Sequence, residues 1–194
     1  MTYLIVAVAA YLLGSIPFGI VMARIFGLGD LRQIGSGNIG TTNVLRTGNK
    51  PAAFLTLVLD AGKGAVAVLA ARAYGGEDIA GLAGLFAMLG HLYPVFLRFK
   101  GGKGVATFLG VLLALSFPVG LAACATWLAS ALAFRYSSLA ALVAAGLAPV
   151  YMLVWYHHFG AILVALLSAL IYYRHQGNIR RLLDGSEPRI GAKG

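Results

Sequence analysis

The stretch FKGGKGVAT, Phe99 to Thr107, threads Lys100 and Lys103 among Gly101, Gly102 and Gly104, directly before an apolar run. Two ammonium groups at a helix start favour an anion. The first helical N–H groups lack partners within the helix and lie at the positive end of its dipole. The stretch is not a nucleoside-triphosphate loop. That loop needs a glycine, four residues, then Gly-Lys-Ser/Thr; here the earlier glycine is missing and Gly104 follows Lys103. A loop that merely sets topology would account for the lysines, but not for glycines threaded between them.

A second stretch, IGSGNIGTTNVLR from Ile34 to Arg46, has glycines at 35, 37 and 40. Such backbone can turn successive N–H groups inward as an anion nest. Ser36, Asn38, Thr41, Thr42 and Asn43 add neutral donors, and Arg46 adds a fork suited to phosphate. Taken alone, it reads equally as an ordinary Gly/Ser/Asn loop. The third stretch is RHQGNIRRLLDGSE, Arg174 to Glu187. His175 and Asn178 are three apart and share a face of any helix there. Arg180 and Arg181 read as a snorkelling basic helix end.

Other reactive residue types read as structural. His91, in GHLYP, lies near a helix end. Asp60 and Lys63, in LVLDAGKGAV, are spaced i, i+3 inside an apolar segment. Intramembrane charges are costly and usually pair, so the pair reads as one ion pair; the alternative is that one of them lines a substrate cavity. Cys124 sits in apolar LAACATWLA, where a thiolate is disfavoured. No Cys/His or carboxylate cluster has ligand spacing, so no metal is implied.

The elements that must position these residues are membrane helices. The chain of 194 residues is 60% hydrophobic and 11% charged, with mean hydropathy +0.85. Soluble domains carry roughly 25% charge. Spans of about 20 residues fit Tyr3–Phe26 (broken by Gly14, Ser15 and Pro17), Pro51–Ala73, Ile79–Leu97, Ser137–Tyr156 and Gly160–Tyr173. The N-terminus has no basic region ahead of its apolar run and reads as a retained span. The run Val105–Phe134 is long for one span, and Pro118 suggests a break.

Charge parity selects the broken version. Lys and Arg collect on the cytoplasmic side. With the break, 13 of the 15 cations share that side, all but Lys63 and Arg72. The expectation is therefore seven helices, N-terminus outside and C-terminus cytoplasmic. Trp155, Tyr156, His157 and His158 would mark the outer interface. No internal repeat supports an inverted-repeat transporter. Three anion-suited stretches on one membrane face imply a pocket open to the cytoplasm and flanked by lipid. Transporter sites lie nearer the midplane, and a lipid-binding scaffold would leave the glycine–lysine pattern unexplained. Residue chemistry alone thus gives a phosphate-handling, lipid-facing site without naming a reaction.

At the same stretches the chain resembles the bacterial membrane acyl-phosphate:glycerol-3-phosphate acyltransferases. Their S-G-N-x-G-A-T-N is matched by Ser36–Asn43, with Thr41 where the family usually has Ala. Their G-H-x-x-P-x-F-x-x-F-K-G-G-K-G-V-A-T is matched by Gly90–Thr107, and H-x-x-N-I-x-R-L-x-x-G-x-E by His175–Glu187. The resemblance covers nearly the whole chain. It implies an all-α integral membrane protein of seven transmembrane helices, forming one domain over residues 1–194 with a cytoplasmic-side active site. It implies acyl transfer from acyl phosphate to the 1-hydroxyl of sn-glycerol 3-phosphate, giving lysophosphatidic acid and phosphate.

Ser36, Lys103, His175 and Asn178 are then the expected catalytic residues. Gly37, Asn38, Thr42, Asn43, Arg46, Lys100, Gly101, Gly102 and Gly104 are the expected substrate- and phosphate-binding ones. No cofactor, metal or nucleic acid is implied. The expected setting is a monomer in the bacterial inner membrane. None of the four His is followed five residues on by Asp, so the His–Asp dyad of soluble-type glycerolipid acyltransferases is absent. Acyl phosphate is already activated, so positioning and charge stabilisation suffice.

Overall fold

The structure, a computed structural model, describes residues 1–155 and 158–191, with side chains for all of these except 158 and 159. The expected interface markers Tyr156, His157 and the side chain of His158 therefore lie outside the described residues. Among the described residues the fold is all helical. In chain order the helices are α1 (Thr2–Gly14), α2 (Phe18–Ile25), α3 (Thr41–Arg46), α4 (Lys50–Gly75), α5 (Glu77–Leu92), α6 (Val105–Leu115), α7 (Phe117–Phe134), α8 (Ser137–Trp155), α9 (His158–Arg174) and α10 (Gln176–Leu183). The chain is a multi-pass membrane protein. Among the described residues five segments are long and apolar enough to span: Thr2–Ile25, Lys50–Gly75, Glu77–Leu97, Phe117–Phe134 and Ser137–Trp155. Val105–Leu115 and Gly160–Arg174 are shorter apolar helices.

Local chemistry sets the breaks. The backbone leaves the helix at Pro17 (φ −90°, ψ 76°), which has no N–H to continue the ladder. The Ile20 N–H, which a continuous helix would aim at the Ile16 carbonyl, binds the Pro17 carbonyl at 2.9 Å. The side chain of Asn49 caps α4 by accepting from the Ala52 N–H at 2.9 Å. Helix α5 stops at Leu92, short of the expected Leu97, because Pro94 follows. The long apolar run breaks at Ser116, two residues before Pro118, which takes a first-turn position in α7.

Two compact units result: residues 1–115, and Ser116 onward through the described tail. In the first, α1 packs on α5, while α4 packs on α5 and α6. The approaches are close. A Cβ on Gly14 would strike the Ala87 backbone, and one on Gly110 would strike that of Ala61. Small residues let membrane helices come this near, where packing replaces the hydrophobic effect. In the second unit α8 packs on α7 and α9. Ser168 Oγ donates to the Ala145 carbonyl at 2.7 Å, and Tyr172 Oη to that of Leu142 at 3.0 Å. Large apolar side chains such as Leu4, Phe54, Leu128, Val154 and Ile162 face outward. A bilayer solvates them.

Candidate active site

The loop before α3 is anchored by apolar burial. Leu31 and Val44 are fully buried with Met22, Ala23, Ala52 and Ala53. Asn43, 1% exposed, then shapes the loop from inside. Its Nδ2 donates to the Leu31 carbonyl at 2.8 Å. Its Oδ1 accepts from the Ser36 N–H at 3.1 Å, with Ser36 Oγ 3.5 Å away. Gly35 (φ 52°) and Gly37 (φ 67°) make the turns. A Cβ on Gly35 would meet both Asn43 Oδ1 and the Arg46 side chain. Ser36, Asn43 and Arg46 therefore gather around Gly35. Asn38 and Thr42 are half-buried beside them, and Ser36 is exposed. The hydroxyl of Thr41 is buried without a hydrogen-bond partner.

The glycine–lysine loop folds back on the end of α5. Arg98 (φ 51°) and Phe99 (φ 61°) are both left-handed and reverse the chain. The Gly101 N–H donates to the Leu92 carbonyl and the Gly102 N–H to that of His91, each at 3.2 Å. These two amides thus close the C-terminus of α5, and the glycines serve the loop's own fold. Gly104 (φ 83°) turns the chain into α6, whose first bond runs from the Phe108 N–H to the Gly104 carbonyl at 2.8 Å. Lys100 is exposed and Lys103 half-buried. Arg32 Nη2 donates to the Lys100 carbonyl at 3.4 Å, joining the two loops.

His175 and Asn178 belong to the second unit. The chain breaks between α9 and α10 at His175 (φ −102°, ψ 8°). His175 is 2% exposed, with Nδ1 2.8 Å from the Ile171 carbonyl. A carbonyl only accepts, so in the neutral ring Nδ1 carries the proton and Nε2 is the basic nitrogen. Asn178 is also buried, and its Nδ2 donates to Glu187 Oε1 at 2.6 Å. Ser138 Oγ donates to the same oxygen at 2.6 Å, and Arg181 Nε to Oε2 at 2.7 Å. Burial resists ionisation of Glu187. The three hydrogen bonds and the Arg181 charge outweigh it and hold the carboxyl below the usual glutamate range.

Asp60 and Lys63 form the expected ion pair, 2.8 Å apart and almost wholly buried. His91 joins it, with Nδ1 3.6 Å from Asp60 Oδ1. Lys63 Nζ also donates to the Ile16 carbonyl at 2.8 Å.

Residues 4–185 match the family model described as glycerol-3-phosphate acyltransferase. The chain belongs to the glycerol-3-phosphate acyltransferase family. Among its relatives, the glycerol-3-phosphate acyltransferase of Jannaschia sp. (strain CCS1) is 66% identical over 185 residues, covering 95% of this chain and 91% of that one. That of Rhodospirillum rubrum is 62% identical over 195 residues, covering 96% and 90%. The crystal structure of PlsY (YgiH), an integral membrane glycerol 3-phosphate acyltransferase, in its glycerol 3-phosphate form superposes with a TM-score of 0.93. It is 45% identical and covers 98% of this chain and 96% of that one. The lysophosphatidic acid form gives 0.91 at 44% identity, with the same coverage.

Two features of this family member escape sequence reading. Glu187 appears there only as the last residue of a motif, yet it ties Ser138, Asn178 and Arg181 together. The available signal is its sign, a carboxylate in a tail otherwise rich in arginine. The contact of His91 with Asp60 joins residues 31 positions apart in sequence (91 minus 60), and nothing in either local segment announces it.

Proposed function

We propose that this glycerol-3-phosphate acyltransferase takes its acyl group from acyl phosphate and places it on the 1-hydroxyl of sn-glycerol 3-phosphate. The hydroxyl oxygen attacks the acyl carbonyl carbon, the bond from that carbon to the phosphate oxygen breaks, and phosphate leaves. Lysophosphatidic acid is the acylated product. The observation that carries this reading is the gathering of Ser36 and Arg46 about Gly35, tied by Arg32 to the loop bearing Lys100 and Lys103. Neutral donors, a guanidinium fork and two ammonium groups suit phosphate.

In this reading Ser36, Asn38, Arg46 and Lys103 hold phosphate and the developing oxyanion. Gly37, Thr42 and Asn43 complete the first loop, and Lys100, Gly101, Gly102 and Gly104 the second. His175 and Asn178 orient glycerol 3-phosphate, and the hydroxyl proton passes to the substrate's own phosphate. The reaction runs at the cytoplasmic face of the inner membrane, in a monomer whose residues 1–194 act as one acyltransferase domain. Counting the two shorter apolar helices gives seven passes, with the N-terminus outside and the C-terminus cytoplasmic.

The test uses purified protein in a lipid mesophase with glycerol 3-phosphate, without added metal. Palmitoyl phosphate should yield lysophosphatidic acid and phosphate, and palmitoyl-CoA should yield neither. Product from palmitoyl-CoA would overturn the donor assignment. No product from either donor would overturn the enzymatic reading.

A further inference from the structure

Within the first unit, a buried charged network stands directly beneath the glycine–lysine loop. Asp60 is 2% exposed, Lys63 3% and His91 5%. The carboxylate of Asp60 sits 2.8 Å from Lys63 Nζ and 3.6 Å from His91 Nδ1. The other imidazole nitrogen, Nε2, occupies the place where a Cβ on Gly102 would fall. The loop therefore rests on the ring, whose far side faces Asp60. Two backbone bonds close the seat, from Gly102 N–H to the His91 carbonyl and from Gly101 N–H to that of Leu92. Thr107 Oγ1, just beyond the loop, donates to the main-chain carbonyl of Asp60 at 2.9 Å and fixes the start of α6 against α4.

Burying a carboxylate, an ammonium and an imidazole among membrane helices is costly unless they satisfy one another. A single pair would serve packing alone. This network instead reaches the loop at Gly102 through the His91 ring, while the far side of Lys103 is fixed separately by Thr107 on the Asp60 main-chain carbonyl. Lys103 is held between two fixed points, and misplacing such a group by about 1 Å can cost roughly 100-fold in rate.

We propose that Asp60 and His91 are positioning residues for the glycine–lysine loop: Asp60 orients the His91 ring, and the ring sets the height and direction of the backbone that presents Lys103. Lys63, 2.8 Å from the Asp60 carboxylate, offsets its charge and holds it aimed at the ring. The inference rests on the proposed role of Lys103 in holding phosphate, but the loop's seating can be measured without it.

The experiment compares the full chain in lipid with Asp60→Asn/Lys63→Met, which removes both charges while keeping volume, with His91→Asn, and with the triple variant. Two quantities are read, amide hydrogen exchange and kcat/KM with palmitoyl phosphate. The Gly101–Gly104 amides should exchange at least ten-fold faster in every variant, while those of α1 and α4 keep the wild-type rate. The value of kcat/KM should fall thirty-fold or more, with the triple variant no worse than the poorer of its parents, because residues acting through one another are not additive. Unchanged exchange at Gly101–Gly104 would overturn the proposal. So would faster exchange spread equally over α4 and α5, which would make the network a support of the fold and nothing more. If wild-type protein gives no product, the acyltransferase reading fails, and loop exchange alone decides whether Asp60 and His91 seat the loop.

Discussion

Lys103 and His175 separate two accounts of the hydroxyl proton. If the chemistry is electrostatic, Lys103→Ala loses roughly 100-fold or more in turnover, while His175→Ala keeps near wild-type turnover and raises KM for glycerol 3-phosphate. If His175 is the general base, the loss moves to kcat in His175→Ala. Steady-state kinetics on both variants decide between them. Residue types were legible at this scale, but the direction of their bonds was not. Asn43 reads as a donor for substrate, and in the fold its amide joins Ser36 to Leu31. Asn178 likewise directs its Nδ2 at Glu187. An amide has both a donor and an acceptor end, and only three-dimensional neighbours show where each goes. Because Asn43 is buried, Asn43→Ala should strand the Ser36 N–H and the Leu31 carbonyl and destabilise the protein by about 1–3 kcal/mol, seen as a lower Tm.

The C-terminal segment after α10 gathers its side-chain bonds on one carboxylate and adds a backbone bond near its end. Glu187 receives Ser138, Asn178 and Arg181, and Ile190 N–H donates to the Arg135 carbonyl at 2.6 Å. The folded carboxyl titrates below its unfolded value, so its contribution is fully present above about pH 4.3 and is lost as pH falls through the lower folded value. Amide protection over residues 184–191, taken relative to the intrinsic exchange rate at each pH, should therefore stay high from neutral pH down to that range and fall below it. Glu187→Gln should be weakly protected at pH 7 and lose the pH dependence of protection. Helix ends were legible where a proline or glycine forced them, as at Pro17 and Gly76. The end of α6 was legible only to within two residues, because Ser116 and Pro118 both suit the start of α7 and the packing of each helix chooses between them.

The apolar surface of the whole molecule is what composition announced, since 60% hydrophobic residues cannot all be buried in a chain of this length. Span existence followed from hydropathy; span number did not, because Val105–Leu115 is too short to declare itself. Sidedness is open to direct measurement. With Cys124 replaced by Ser, Arg98→Cys should react with an impermeant maleimide only from the cytoplasmic side of oriented vesicles, and Asp78→Cys only from the other. The reverse pattern would invert the proposed topology and move both basic loops away from the cytoplasm.

The break at Pro17 carries one more consequence, and it concerns ancestry. Lys63 Nζ donates to the Ile16 carbonyl, whose helical partner, the Ile20 N–H, has turned to Pro17. Restoring a helix former at 17 would return that carbonyl to its own ladder and take an acceptor from the ammonium. Removing the ammonium would leave the broken turn without its cation. The Phe18 N–H also reaches this carbonyl, at 3.1 Å, and the ammonium keeps Asp60, so the two residues share one acceptor without depending on it alone. The two positions, 46 apart in the chain (63 minus 17), should be inherited together across the family, and Pro17→Ala should cost less when added to Lys63→Met than when made in the wild-type chain.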